Sequence, residues 1–158
     1  MPAQSRTPER LARGAVHVNY EVGAFRHFAA SDLNDSVTIE LFLLHARNLI
    51  EFLGWRASKY DDDLIANNFV AGWTPPSTPD PTFFKNVLDK IDGHLSHLTW
   101  RRVEEEQLVT PTTPAFPYDE VHDLVCTAFI DFTDQAVRDG SPGALLFSTA
   151  SHAWHTKV

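Results

Sequence analysis

Residues 37–55 constrain the fold more than any other stretch of this chain. Stepped at about 100° per residue, Ile39, Phe42, Ala46, Leu49, Ile50 and Leu53 fall on one helical face, and Leu44 and Trp55 fall on the opposite side. A helix that is apolar on two sides has to be covered on two sides. It therefore belongs at the centre of a domain, with other helices around it. Asp35 and Ser36 are good N-caps, and the pattern predicts a helix from there to about Ala57. His45, Arg47, Asn48 and Glu51 break the apolar pattern. A buried polar group left unpaired costs roughly 1–3 kcal/mol, so each of these side chains needs a partner or a use.

The flanking sequence supplies the covering helices. Thr7 followed by Pro8 is a helix start, and Leu11, Ala15, Val18, Val22, Phe25 and Ala29 recur on one face after it. Gly14 and Gly23 each weaken that helix by about 1 kcal/mol relative to alanine. Asp61, Asp62 and Asp63 can cap a short helix through Leu64, Ile65 and Phe69, and Pro75, Pro76 and Pro79 then force a loop. A third long helix is expected from Asp80 as N-cap and Pro81 at the first position to about Gln107, with Phe84, Val87, Leu88, Ile91, Leu95 and Leu98 inward. Prolines 111, 114 and 117 separate it from a fourth, Tyr118 to Asp139. There Val121, Leu124, Val125, Ala128, Phe129, Phe132 and Ala136 face the core and Gly140 ends the helix. Strand signals are weak. The expected fold is all-α, an antiparallel bundle of four to five helices over residues 1–140, with an irregular tail at 141–158.

Length and charge narrow the function. A chain of 158 residues with 43% hydrophobic side chains suits one domain with a real core. The single cysteine, Cys126, allows no internal disulfide, and the polar start of the chain lacks the apolar run of a secretory signal. Both point to a cytoplasmic setting. The apolar stretch 37–55 carries too many charges to be a membrane span. A net charge of −8 argues against broad electrostatic binding to nucleic acid, which needs many cations at phosphates, but a local basic pocket remains compatible with it. Cys126, beside Val125 and Phe129, reads as a buried and inert thiol.

Two constellations carry chemistry. Lys90, His94, His97 and Arg101 are spaced by four, three and four, which puts them on one stripe of the third helix. A guanidinium forks phosphate oxygens and an imidazole moves a proton near neutral pH, so the stripe is a candidate anion site. The plainer reading is a solvated flank of an amphipathic helix. A metal reading would join His94 and His97 to His45, although zinc wants three or four ligands. On the second helix, His45 and Asn48 lie on one side, while Arg47 and Glu51 lie on the other, where they can pair. That pair could be joined by Asp61, Asp62 or Asp63, and His45 could be a satisfied core histidine. His45 and Arg47 point nearly opposite ways and are not expected to serve one site within a single chain.

The segments Val18-Asn19-Tyr20-Glu21, Phe42 to Phe52 (FLLHARNLIEF), Asp61 to Ala66 and Ile91 to Arg101 (with His97-Leu98-Thr99) resemble an uncharacterised family of small bacterial helical proteins. The likeness spans roughly residues 16–105. More distantly, Arg47-Asn48 on a bundle helix resembles HEPN domains, the helical ribonucleases and binding modules of bacterial defence and toxin systems. Those carry an Arg, a polar residue and a His four to six residues later. Here those later positions hold Phe52, Leu53 and Gly54, so His97 and Arg101 would replace the missing acid/base.

The resemblance implies a metal-independent ribonuclease-like activity in which a His takes the proton of a ribose 2′-hydroxyl and an Arg steadies the phosphate. It also implies a homodimer and RNA as partner. The candidate catalytic residues are His97, Arg101, His45 and Arg47; Lys90, His94 and Asn48 are candidate anion ligands. No cofactor is expected. The competing readings are a non-catalytic module that binds a partner protein or dimerises, which an exposed patch around Phe25, Phe28 and Trp73 would support, and a small-molecule or metal site in the bundle core.

Overall fold

A computed structural model describes residues 6–33, 35–95 and 116–152, except the side chains of 94 and 150–152. The described residues are helical, with no strand. α1 spans Pro8–Ala29 and α2 spans Ser36–Leu53. A short 3₁₀ turn follows at Ala66–Asn68, then α3 at Phe83–Leu95, α4 at Tyr118–Arg138 and α5 at Ala144–His152. α2 packs against α1, α3 and α4 and is the central helix, but its buried arc is widened by Leu43 and Phe52, while Leu44, expected on a second buried side, is 40% exposed. None of these helices is long and apolar enough to cross a membrane.

The helix starts follow the capping chemistry. The Thr7 hydroxyl accepts from the Arg10 N–H at 3.4 Å, and the Asp35 carboxylate accepts from the Thr38 N–H at 2.8 Å and its hydroxyl at 2.9 Å. Those bonds also hold the Asp35 carboxyl below its ordinary pKa. α3 opens later than its sequence signal. Asp80 accepts from the N–H and hydroxyl of Thr82, a tight turn that uses up Pro81 and Thr82, so the helix begins at Phe83.

The end of α2 is the difference that builds the site. The helix was expected to reach about Ala57 but stops at Leu53, because Gly54 adopts a left-handed φ of 100° that other residues resist. The N–H of Gly54 bonds to the carbonyls of Ile50 and Glu51, and that of Trp55 bonds to Ile50. This closes the helix end with the chain reversed. Residues 56–65 then run back beside α2 and α1. Leu64 seats against Gly14, where an added Cβ would lie 2.9 Å from a Leu64 methyl. The glycine that weakens α1 is thus the one that admits this loop.

The core is aromatic. Phe25, Phe42, Phe129, Phe132 and Phe147 are fully buried. Phe147 lies on α5, within the tail expected to be irregular, and its ring meets Phe69, Phe129 and Phe132. A nine-residue helix is too short for its periodicity to declare itself, but its burial against α1 and α4 is unambiguous. The exposed patch that would have supported a docking module is absent at these positions: Phe25 and Trp73 are buried, Phe28 packs partly buried against the core, and the Trp73 indole donates to the Leu53 carbonyl at 2.9 Å.

Candidate functional site

α1, the C-terminal half of α2 and the returning loop enclose a cleft of about 420 Å³, within the ~300–1,000 Å³ typical of small-ligand sites. His17 and Glu21 line it from α1, one turn apart; Arg47, Asn48 and Glu51 from α2; Arg56, Lys59 and Tyr60 from the loop. Glu21 is its best-defined feature. Its Oε2 lies 2.7 Å from His45 Nδ1 and accepts from Asn48 Nδ2 at 3.0 Å. His45 is buried, with its ring stacked on Phe28 and set edge-on to Tyr20. Phe28 and the more exposed Tyr20 flank the imidazole, the imidazole and amide fix the carboxylate, and the carboxylate faces the cleft.

Arg47 and Arg56 form the opposite side. Arg56 donates to Glu51 Oε1 at 2.7 Å and to Asp92 Oδ2 at 2.8 Å. Arg47 Nε lies 3.5 Å from Glu51 Oε1 and 3.0 Å from Asp92 Oδ1. That last pair is close but not aligned as a hydrogen bond, so it acts as a charge contact. Partial burial works against the Arg56 charge, yet the bonds from Asp92 and Glu51 outweigh it and raise its pKa. Two cations and two carboxylates cancel, and the cluster ties α2, the loop and α3 together. Arg56→Ala is expected to cost about 1–3 kcal/mol in urea unfolding, the worth of bonds to charged groups discounted for partial exposure. Arg56→Lys, which keeps the charge but not the fork, should lose less. A change within about 0.5 kcal/mol for the alanine variant would make the cluster a surface ornament.

The sequence candidates separate here. Asn48 and Arg47 line one cleft, contrary to the expectation of opposed sides, because the cleft spans a broad arc of α2. His45 does not line it but reaches it through Glu21. Arg47 does pair with Glu51, but Arg56 and Asp92 join them rather than Asp61, Asp62 or Asp63. Lys90 is half-buried on α3 and stands away from the cleft. His94 is helical; His97 and Arg101 lie outside the described residues. α3 thus turns an acid, Asp92, toward α2. Glu21, Asp92, Arg56, Lys59 and His17 escaped the sequence reading. The spacing of His17 and Glu21 by four was the available signal for two of them.

A second hollow of about 630 Å³ lies between α1 and α4 and is lined in part by Phe42, His122, Cys126 and Ile130. Cys126 Sγ is 3.4 Å from His122 Nε2, and His122 Nδ1 is 3.2 Å from Asp123. The order of groups is that of a thiol–imidazole–carboxylate site, but the thiol is wrong for it. Burial, helped by the Asp123 charge, pushes Cys126 up to about 12. Iodoacetamide should therefore alkylate the native protein on the order of 10²–10³ times more slowly at neutral pH than the urea-unfolded chain. Comparable rates would mean an activated thiol.

No protein-family model, curated protein or solved structure matches this chain. The functional reading therefore rests on its own geometry.

Proposed function

We propose that the cleft around Glu21 is an acid–base site that cleaves RNA without a metal ion. The observation that carries this reading is the carboxylate of Glu21, held at Oε2 by His45 and Asn48 and turned into a cleft that also contains His17, Lys59 and the Arg47–Arg56 cluster. A fixed carboxylate is a general base, and a neighbouring imidazole is a general acid. RNA brings its own nucleophile, the 2′-hydroxyl, so no activated water is needed.

In the proposed reaction Glu21 takes the proton of the 2′-hydroxyl. The 2′-oxygen bonds to phosphorus, and the P–O5′ bond breaks. Protonated His17 gives its proton to the leaving 5′-oxygen, leaving a 2′,3′-cyclic phosphate and a 5′-hydroxyl. Lys59, exposed at the cleft edge, steadies the charge growing on the phosphate. Arg47 is already matched by carboxylates, so it holds the wall rather than clamping the substrate. The net charge of −8 suits recognition at one cleft rather than along a duplex backbone.

The test is cleavage of short single-stranded RNA in excess chelator, with products resolved by mass. Cyclic phosphate ends are expected, and a 2′-deoxy residue at the scissile position should block the reaction. Intact RNA, or hydrolysis indifferent to that hydroxyl, overturns the proposal.

A further inference from the structure

The returning loop ends in a built edge. The Asp63 carboxylate accepts from the hydroxyl of Ser58 at 2.9 Å, the N–H of Lys59 at 3.0 Å and the N–H of Tyr60 at 3.1 Å. The Tyr60 carbonyl also lies 2.9 Å from the Ser58 hydroxyl, whose single proton the carbonyl and the carboxylate share, and it accepts from the Asp63 N–H at 3.2 Å. The bonds from Tyr60 and Ser58 hold the Asp63 carboxyl below its ordinary range, so the carboxylate that braces the turn persists to lower pH than a free one. Leu64, wedged at Gly14, anchors the loop to α1. The outcome is a braced turn from which Lys59 and Tyr60, neighbours in sequence and both exposed, line the cleft.

Tyr60 is 68% exposed. A large ring left in water on a rigid turn contributes little to folding. It offers a face for a base to stack on, as single-stranded nucleic acid uses. Lys59 is the cation of this turn, beside the exposed carboxylates of Asp61 and Asp62, so the ring rather than net charge carries the recognition. Stacking needs an unpaired base, because both faces of a paired base are covered by its neighbours in the duplex.

Resting on the ribonuclease reading for the class of ligand, we propose that Tyr60 stacks a nucleobase next to the scissile phosphate while Lys59 contacts a phosphate, so that the cleft selects single-stranded over duplex RNA. Tyr60 is then a specificity residue and takes no part in proton transfer.

Binding can be read apart from cleavage. A fluorescein-labelled single strand of 2′-O-methyl RNA lacks the attacking hydroxyl and stays intact, so anisotropy with the whole protein reports affinity alone. Tyr60→Ala should weaken binding about tenfold, within the range for loss of one stacked base, whereas Tyr60→Phe should stay within about twofold. The duplex of the same sequence should bind about tenfold or more weakly, and an abasic strand should bind both variants alike. Equal affinity of wild type and Tyr60→Ala, or equal affinity for strand and duplex, overturns the inference. If the RNA is cleaved but binding ignores Tyr60, only the stacking edge fails. If the strand binds through Tyr60 but its unmodified form is never cut, only the catalytic reading fails. Absence of binding removes both.

Discussion

Replacing Phe132 by alanine is expected to remove about 3–5 kcal/mol of stability. The ring is fully buried and is the meeting point of four parts of the chain. It lies edge-on to Phe52 of α2 at 5.3 Å and to Trp73 of the loop at 5.4 Å, and it touches Phe69 beside the 3₁₀ turn. Phe129 on its own helix and Phe147 of α5, at 5.1 Å, close the remaining sides. Neighbours drawn from so many elements cannot all relax inward, so much of the cavity stays open. Against a total of about 5–15 kcal/mol for a domain of this kind, the loss moves the protein close to unfolding. Urea titration followed by circular dichroism should show the midpoint falling with little change in slope. Phe132→Leu should retain more than half of the difference. A loss below about 1.5 kcal/mol for the alanine variant would mean that these rings pack far more loosely than their contacts imply.

What made the fold legible is what makes Phe132 matter. Apolar spacing on α1, α2 and α4 is long and regular, and most residues the period selects are buried, although Leu44 is exposed and Leu43 and Phe52 are buried outside the expected set. Thr7 and Asp35 cap where capping chemistry puts them. The misses are local. Gly54 stops α2 early by a backbone conformation that the apolar pattern does not register. α5 is decided by what Phe147 touches, not by its own nine residues. At the site, periodicity correctly marked His45, Asn48, Arg47 and Glu51 as side chains in need of partners. It could not name the partners, because Glu21 is 24 residues from His45 and Asp92 is 36 from Arg56. Such pairings are a property of packing. The third-helix stripe was drawn on helical spacing alone, and its described member, Lys90, stands away from the cleft, while Asp92 faces the arginines. A flank position beside Leu88 and Leu95 was the hint that Asp92 would want a cation.

Glu21→Gln should lower RNA cleavage on the order of 10²–10⁴-fold, the usual contribution of a general base, while leaving the fold intact. The amide matches the carboxylate in size and keeps an oxygen for Asn48 or His45, so thermal unfolding should move little. Because the change removes proton acceptance rather than contact, the loss should fall on kcat, with KM nearly unchanged. Glu21→Asp tests geometry: it keeps the base but draws it away from His45 Nδ1 and Asn48 Nδ2, now 2.7 and 3.0 Å distant. Its activity should lie between the other two. His45→Gln should act only through Glu21, with a smaller loss and a shifted pH profile. The outcome that sinks this assignment is full activity in Glu21→Gln together with its loss in His97→Ala. That pair of results would move the acid–base chemistry to the third-helix histidine and leave Glu21 as the carboxylate that satisfies a buried imidazole. A parallel loss of folding stability and activity in every Glu21 variant would give Glu21 that same structural role, since a base can be neutralised without loosening the helices that hold it.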